Sequence, residues 1–345
     1  MRLPRPRGPF SETLTELLVQ PATTTCPDLA ECAQTAVAGV DDVVADDDVQ
    51  VSLLTMYELH YRGVAAVDER WEWHPDLLAA RAVFESVMEA QLRASVRVPT
   101  VSASTARTVA NTLFDLTGGS SGPDLSGYLA RKASLEQFRE FVVHRSIYQL
   151  TEADPHTWAI PRLSGRAKAA LVEIQADEYG GGRADRIHSV LFANTMRELD
   201  LDPAYGAYVD LVPAVTLADV NAMHLFGLHR RLRGALVGHL AAFEMTSSIP
   251  CRKYGNGLRR LGYDGDATWF FDEHVEADSV HEQIAAHDLA GGLAESEPQV
   301  TADILLGAAV YLELGSRSSQ HMLDAWTAGR SSLRAASPAV VDEAG

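Results

Sequence analysis

Apolar side chains at helical spacing run through most of the chain, and this pattern constrains the fold more than any other feature. They recur at intervals of three and four residues, whereas alternating runs rich in β-branched residues are scarce. We expect helices over residues 11–20, 75–93, 135–153, 165–179, 184–198, 217–247, 269–286 and 299–327. The sequence therefore predicts an all-α protein.

Breaks between these segments indicate how the helices are organised. The Ser/Thr/Val-rich segment 95–108 is typical of a connection, and the Gly/Ser-rich segment 117–127 is the clearest linker. Thr216 and Asp219 form a capping-box pattern for the long helix 217–247, which we expect to end before Pro250. We predict a helical layer over residues 1–104, a larger bundle over residues 105–330 and a disordered tail over residues 331–345.

Charge and composition exclude several classes of protein. The chain has 345 residues and a net charge of -18, which repels nucleic acid. No apolar run reaches the roughly 18–20 residues that span a bilayer, and the N-terminus lacks the apolar stretch of a signal peptide. Three cysteines are too few for a disulfide scaffold and lack zinc-site spacing. We expect a cytoplasmic protein that binds neither nucleic acid nor membranes.

The strongest local motif is FFDEHVEADSVHE, residues 270–282. His274, Asp278 and His281 stand at positions i, i+4 and i+7, so on a helix they lie within about 60° of one another. Two imidazoles and a carboxylate on one helix face are typical ligands of iron, manganese or zinc. The motif therefore predicts a metal site, although acidic solvated helices also collect histidines.

A second motif joins Glu178 and His188 across the run Gly180–Gly182. Ten residues place the two side chains about 80° apart on an ideal helix. Glycines are unfavourable inside a helix, so we expect either a local unwinding or π-bulge that turns Glu178 toward a metal, or a helix end. Asp185 and His188 form an Asp-x-x-His step that Asp278 and His281 repeat, as in carboxylate-bridged bundle sites.

Two more carboxylates complete the candidate set. Glu244 follows the apolar residues 241–243 and precedes Met245, and metal coordination is a common solution for an acid on such a segment. Glu152 lies near the end of the segment 135–153, where taken alone it is typical of an exposed acid.

Taken together, these residues resemble the ligand set of the haem-oxygenase-like diiron oxidases and oxygenases, the iron-containing redox enzymes. The resemblance covers residues 105–330, and the matching positions are Glu152, Glu178, His188, Glu244, His274, Asp278 and His281. It implies a seven-helix haem-oxygenase-like fold that binds two Fe(II)/Fe(III) ions rather than haem. It also implies that O2, through a peroxo-diferric intermediate, oxidises a small metabolite by amine N-oxygenation or by C–H or C–C oxidation.

We also expect a division of these ligands between the two ions. Iron one takes Glu178, His188 and one histidine of the 274–281 helix. Iron two takes Glu152, Asp278 and the other histidine, with Glu244 terminal or bridging. Asp185 is an alternative to Glu178, or a partner that orients His188.

The substrate and the electron source are less defined. We expect a small-molecule substrate and an external electron donor, because no G-x-G-x-x-G dinucleotide pattern is present. The sequence is also compatible with a homodimer. The expected pocket is mostly apolar, which suggests a substrate with an aliphatic portion. Its predicted lining is Phe141, Tyr148, Leu191, Phe192, Met196, Leu240 and Phe271.

Several alternatives remain open from the sequence. The same fold could belong to a haem-binding or haem-degrading enzyme with His144 as ligand, to a hydrolase of the thiaminase type using Cys251, or to a non-catalytic iron-binding protein. We interpret His60, next to Glu58, as part of a helix-surface pair. His224, His229 and His239 we interpret as structural or surface residues.

Overall fold

The computed structural model describes residues 1–119 and 122–335, except for the side chains of residues 276–280. The helices are α1 Pro9–Leu18, α2 Leu29–Val37, α3 Asp47–Glu58, α4 Pro75–Ser95, α5 Ala106–Gly118, α6 Leu125–Arg131, α7 Leu135–Gln149, α8 Asp154–Thr157, α9 Gly165–Glu178, α10 His188–Glu198, α11 Ala214–Leu228, α12 Arg233–Arg260, α13 Asp266–Gln283, α14 Gly291–Ser296 and α15 Thr301–Thr327. No strand occurs in these described ranges, so the all-α prediction is confirmed. Most of the predicted disordered tail, residues 336–345, lies outside the described residues.

The N-terminal helices α1–α4 share one apolar core with the larger bundle. Phe10 of α1 packs edge-to-face on Phe84 of α4, with ring centroids 4.7 Å apart. Asn221 of α11 donates its side-chain amide to the backbone carbonyl of Gln50 in α3 at 2.9 Å. The layer is therefore built into the same core as the bundle that follows it.

Close contact between α12 and α15 forms the centre of the bundle. A Cβ on Gly238 would lie 1.7 Å from the carbonyl oxygen of Ile304, and a Cβ on Gly307 would lie 1.9 Å from that of Ala235. Because only glycine fits at these two positions, the two helix backbones approach closely. This contact fixes α12, which carries Glu244, in the middle of the molecule.

The predicted helix 217–247 is two helices in the structure. The chain is extended at His229, and the guanidinium of Arg162 donates to the last carbonyls of α11, at Gly227 and Leu228. The expected stop at Pro250 is wrong as well, because α12 continues through it to Arg260. Pro250 lacks the backbone N–H that would bond to the Thr246 carbonyl, so the helix passes this point with one hydrogen bond fewer.

Among the helices of the described ranges, none combines the length and apolar character needed to cross a bilayer.

Candidate metal centre

Six of the seven predicted ligands converge in the interior of the bundle. Each is at most 4% exposed. Glu152 lies in the turn after α7, Glu178 ends α9, His188 begins α10, Glu244 lies within α12, and His274 and His281 lie on α13. Asp278 has a side chain outside the described residues. The predicted site is therefore assembled from five separate segments of the chain.

The first group consists of Glu152, Glu178, His188 and His274. One ligand atom from each residue can be chosen so that all lie within 4.8 Å of one another. His188 Nδ1 lies 2.7 Å from Glu178 Oε2, and His274 Nε2 lies 3.5 Å from Glu152 Oε1. The other nitrogen of His274, Nδ1, lies 2.7 Å from the Phe270 carbonyl oxygen. When Nδ1 donates to that carbonyl, Nε2 is the nitrogen available to a metal.

The second group consists of Glu178, Glu244 and His281. Their ligand atoms also lie within 4.8 Å of one another, and His281 Nδ1 lies 3.3 Å from Glu244 Oε2. Glu178 belongs to both groups, which is the position of a bridging carboxylate. The grouping differs from the expected division, because Glu152 lies with His188 and His274 rather than in the second group.

A glycine turn brings Glu178 and His188 together. Helix α9 ends at Glu178, and Gly180, Gly181 and Gly182 all have positive φ, at 68°, 60° and 83°. A Cβ on Gly180 would lie 2.6 Å from the carbonyl carbon of Arg186, so the chain folds back tightly here. The glycines therefore end one helix and precede the next, and the π-bulge expected as one alternative is absent from this turn. The structure instead has a π-helical segment at Ile284–Ala290, just after His281.

In the structure, Asp185 neither replaces Glu178 nor contacts His188. Its side chain is 66% exposed and pairs with Arg183 at 3.0 Å, in the turn between Glu178 and His188. Sequence reasoning missed Asp177 instead. Its Oδ2 lies 2.9 Å from His281 Nε2, where it can accept a hydrogen bond and leave Nδ1 directed at Glu244. The sequence does not reveal this contact, because Asp177 and His281 lie on different helices, 104 residues apart.

The charges in the cluster stabilise one another. Burial alone raises the pKa of Glu178, but the nearby imidazoles of His188, His274 and His281 lower that pKa to about 2. Burial lowers the pKa of His281, yet the carboxylates of Glu244, Asp177 and Glu178 raise it to about 9. In the metal-free cluster, an ionised Glu178 thus lies near a protonated His281, and a cation that binds there would displace the proton.

The donor set fits a transition metal. Among the described residues, Glu152 Oε2 is a buried atom without a hydrogen bond, and the close contacts of Glu178 Oε2, His188 Nδ1 and His281 Nδ1 are ion pairs within the cluster itself. Unpaired polar atoms in the interior are unfavourable, and first-row metals bond such oxygens and nitrogens at about 2.0–2.2 Å. Carboxylates and imidazoles without thiolates favour iron or manganese over a structural zinc site.

Comparison with known proteins agrees with this geometry. The profile of a family described as iron-containing redox enzyme matches residues 139–316, which is about half of the chain. The chain belongs to this family. Its membership confirms the predicted haem-oxygenase-like fold and supports the prediction of an oxidoreductase.

Two relatives of known activity also match. Nitrosourea synthase from Streptomyces achromogenes subsp. streptozoticus is 28% identical over 170 residues, which are 48% of this chain and 36% of that protein. A 4-chloro-allylglycine synthase from Streptantibioticus cattleyicolor is 33% identical over 116 residues, which are 33% of this chain and 43% of that protein. The chain thus spans less than half the length of either relative.

Within this iron-containing redox protein, His144 lies in a different environment from the metal centre. Its Nδ1 lies 2.7 Å from the Thr216 hydroxyl, and its Nε2 lies 3.0 Å from the Ser332 hydroxyl. Since both ring nitrogens are engaged by hydroxyl groups, His144 is not placed as a haem ligand.

A cavity of about 850 Å³ lies beside the metal centre. Tyr148 lines it and lies close enough to Glu152, Glu178 and Glu244 for their charges to raise the pKa of its phenol, and Met245, which also lines it, follows Glu244 in α12. Of the predicted pocket residues, Phe141 and Tyr148 line this cavity, whereas the rest pack in the apolar core: Leu191, Phe192, Met196, Leu240 and Phe271. The lining contains more hydroxyl groups than predicted, contributed by serine, threonine and tyrosine from α12 and α15.

Gln149 connects this cavity to the metal centre. In the amide orientation that satisfies both neighbours, its oxygen accepts from Arg145 at 3.1 Å and its nitrogen donates to Glu152 Oε1 at 3.2 Å. A single amide side chain, that of Gln149, therefore lies between Arg145 in the cavity wall and Glu152, a predicted metal ligand.

Proposed function

We propose that this protein is a non-haem diiron oxygenase or oxidase that uses O2 to oxidise a small metabolite. The observation that carries the proposal is that two buried groups of carboxylates and imidazoles share Glu178. Two adjacent sites with a common carboxylate are the arrangement of bundle diiron proteins.

In this proposal Glu152, Glu178, His188 and His274 hold one ion. Glu178, Glu244 and His281 hold the other, together with Asp278. The iron pair would supply the electrons and the open coordination positions that O2 activation requires. The protein contributes a dry, shaped interior: Phe270 and Phe192 pack 5.0 Å apart beside His188 and His274 and keep water from that side.

One backbone contact and one side-chain contact define which ring nitrogen of His274 and of His281 serves as the metal donor. The Phe270 carbonyl holds the Nδ1 proton of His274, and Asp177 holds the Nε2 proton of His281. Each contact leaves the opposite ring nitrogen directed at the carboxylates. The ligand set is therefore oriented before a metal binds.

The proposed chemistry covers two kinds of oxidation. One relative is named as a nitrosourea synthase and the other as a synthase of a chlorinated allylglycine. Oxidation at nitrogen and oxidation at carbon are both included in the proposal for this chain. We also propose an external electron donor.

Reconstitution with iron tests the function directly. Metal-free protein is loaded anaerobically with Fe(II), the bound iron is counted, and the ferrous protein is mixed with O2 in a stopped-flow spectrophotometer. We expect about two irons per chain, as in other bundle diiron sites, and a transient visible absorption band when the ferrous protein meets O2.

Other outcomes would contradict the proposal in different ways. A Soret band in the purified protein would indicate haem. Bound iron without O2 consumption, whatever reductant is supplied, would indicate a non-catalytic iron-binding protein. Failure to retain iron would remove the diiron function altogether.

A further inference from the structure

The turn that carries Glu152 contains a strained residue. The Asp154 N–H donates to the Thr151 carbonyl at 3.1 Å, which closes a four-residue turn with Glu152 and Ala153 at its centre. Ala153 has φ 73° and ψ -27°, a left-handed conformation at the third turn position, which glycine normally takes. Its Cβ makes this conformation unfavourable. A strained residue beside a predicted metal ligand indicates that the surrounding structure imposes the conformation.

Hydrogen bonds to the Ala153 carbonyl oxygen hold the turn in this conformation. Thr157 of α8 donates its backbone N–H at 3.1 Å and its hydroxyl at 3.2 Å. The side-chain amide of Gln175 donates to the same oxygen at 3.0 Å and to the Thr157 hydroxyl at 2.7 Å. Because Gln175 is only 3% exposed, water does not compete for these two bonds. The turn therefore depends on a donor from a different helix, α9.

Gln175 lies on the helix that ends at Glu178, the carboxylate shared by both ligand groups. The two residues are three positions apart on α9, so they are neighbours on its surface. Tyr179, directly after Glu178, donates its hydroxyl to Asp154 Oδ1 at 2.9 Å. Bonds from both sides of Glu178 thus reach residues directly after Glu152, and they fix the two carboxylates relative to each other.

The conformation of Ala153 determines the direction of the Glu152 carboxylate. Glu152 lies outside both α7 and α8, in the segment between them. A change of Ala153 to negative φ would rotate the peptide that joins it to Glu152 and turn the carboxylate away. In the present conformation Glu152 Oε1 lies 3.5 Å from His274 Nε2, and the carboxylate is in place before a metal binds.

We propose that Gln175 is a positioning residue of the metal centre. Its amide holds the left-handed turn at Ala153, and the turn directs Glu152 into the first ligand group. The inference rests on the proposed function for the presence of metal ions, but it does not depend on any reaction with O2.

Anaerobic titration of the metal-free protein with Fe(II), against a competing chelator, tests this role. Gln175→Met keeps the length of the side chain without its donors. We expect it to weaken the iron held with Glu152 by about tenfold, since losing a partner of a metal ligand typically costs 10–100-fold, and to leave the iron held with Glu244 unchanged. Measuring each affinity in a His281→Ala and in a His274→Ala background, which remove one ligand from the second and the first group, assigns the affinities to the two sites.

Two comparisons distinguish positioning from a general contribution to stability. Gln50→Met alters an equally buried glutamine, which donates to the Val43 carbonyl at 2.7 Å in the N-terminal layer, and it should leave both iron affinities unchanged. Glycine adopts the left-handed conformation without strain, so Ala153→Gly combined with Gln175→Met should restore part of the lost affinity. Circular dichroism and urea unfolding of the metal-free variants show whether each is folded.

Thr157 provides an independent comparison should Gln175→Met fail to fold. Thr157→Ser keeps the hydroxyl that accepts from Gln175 and should bind iron as the unsubstituted protein does. Thr157→Val keeps the shape of the side chain without the hydroxyl and should weaken the iron held with Glu152.

The proposal is overturned if the folded variants Gln175→Met and Thr157→Val bind both irons with unchanged affinity, or if they weaken both irons equally. It is equally overturned if Ala153→Gly restores nothing, or if Gln50→Met weakens the same iron as much. An unsubstituted protein that binds no iron would overturn this inference and the proposed function together. A protein that shows the expected affinities but does not react with O2 would retain the positioning role and lose the oxygenase function.

Discussion

The molecule buries two sets of histidines that differ in their surroundings. The metal-centre cluster contains His188, His274 and His281, and each imidazole lies within 3.5 Å of a carboxylate oxygen. The second set, which we call the neutral histidine cluster, consists of His144, His156, His224 and His239. All seven are at most 4% exposed, so burial alone does not distinguish a ligand from a structural histidine.

In the neutral histidine cluster, the partners are hydroxyls, rings and other imidazoles, together with one carboxyl group, that of Glu58, whose Oε1 lies 3.9 Å from His224 Nε2. His156 Nε2 lies 3.2 Å from His239 Nδ1, and the ring of His224 lies 4.7 Å from that of Tyr61. Burial raises the pKa of Glu58 to about 7, and burial lowers the pKa of His224 to about 3 and that of His156 to about 4. In the metal-centre cluster the pKa of His281 moves in the opposite direction. The density of carboxylates therefore decides whether a buried imidazole stays neutral or accepts charge. The carboxylate-rich environment of the metal-centre cluster is the one that suits a cation.

The comparison predicts its largest effect at Glu178, which both ligand groups share. We expect Glu178→Ala to weaken iron binding by more than about a hundredfold at both sites, since removing even an outer partner of a ligand typically costs 10–100-fold. The iron content of the variant after anaerobic loading, measured by elemental analysis, should fall well below one per chain.

The matched control is His239→Gln, which removes an equally buried imidazole from the neutral histidine cluster. Its iron content should equal that of the unsubstituted protein. If His239→Gln loses iron as Glu178→Ala does, the two clusters are not functionally distinct. If Glu178→Ala retains one full equivalent, Glu178 is not a shared ligand.

Sequence reasoning was most successful where the ligands lie on one helix. His274 and His281 are seven residues apart, and a regular helix turns that spacing into a common face without help from the rest of the chain. The glycine-interrupted motif added Glu178 and His188, and an apolar segment added Glu244. The resemblance to a known family then supported these positions and Glu152, and the structure brings all four together. Local spacing and family pattern thus predicted the all-α fold and most of the site.

Other features depend on contacts between distant segments and could not be predicted. Glu58 and His60 were expected on a helix surface, but both are buried, and they have separate partners. The Tyr205 hydroxyl donates to Glu58 at 2.5 Å, whereas His60 lies 3.2 Å from Glu72. Tyr205 is far along the chain, and its approach depends on how the N-terminal helices pack on α11. Asp177 was missed for the same reason.

A smaller effect tests the neutral histidine cluster through pH. Because the folded pKa of His224 is about 3 and its ordinary value is 6.5, the unfolded chain binds more protons between these values, and stability falls as pH drops through that window. At pH 5 one such residue costs about 2 kcal/mol. We expect His224→Phe, which keeps a ring between Tyr57 and Tyr61, to remove this loss in urea unfolding at pH 5 relative to pH 7.5.

Tyr61→Phe is the control for this measurement, because it alters the same packing without removing a group that titrates in this range. Its stability should keep the pH dependence of the unsubstituted protein. An unchanged pH dependence in His224→Phe would show that His224 is not held neutral in the folded state.

The smallest effect is expected at the edge of the metal-centre cluster, where Asp177 meets His281. The carboxylate accepts the Nε2 proton at 2.9 Å, which directs Nδ1 to Glu244 and increases the basicity of the ring, but its side chain is 59% exposed and water competes for the same proton. We therefore expect Asp177→Asn to weaken only the iron held with Glu244, by about tenfold or about 1.4 kcal/mol. Titration of the metal-free protein with Fe(II) against a competing chelator resolves the two affinities.

Asp185→Asn is the matched control, since Asp185 is a similarly exposed acid that pairs with Arg183 and not with a ligand. Equal losses in the two variants would reduce the role of Asp177 to surface charge, whereas a loss confined to Asp177→Asn would extend the carboxylate-rich environment of the cluster to the surface of α9.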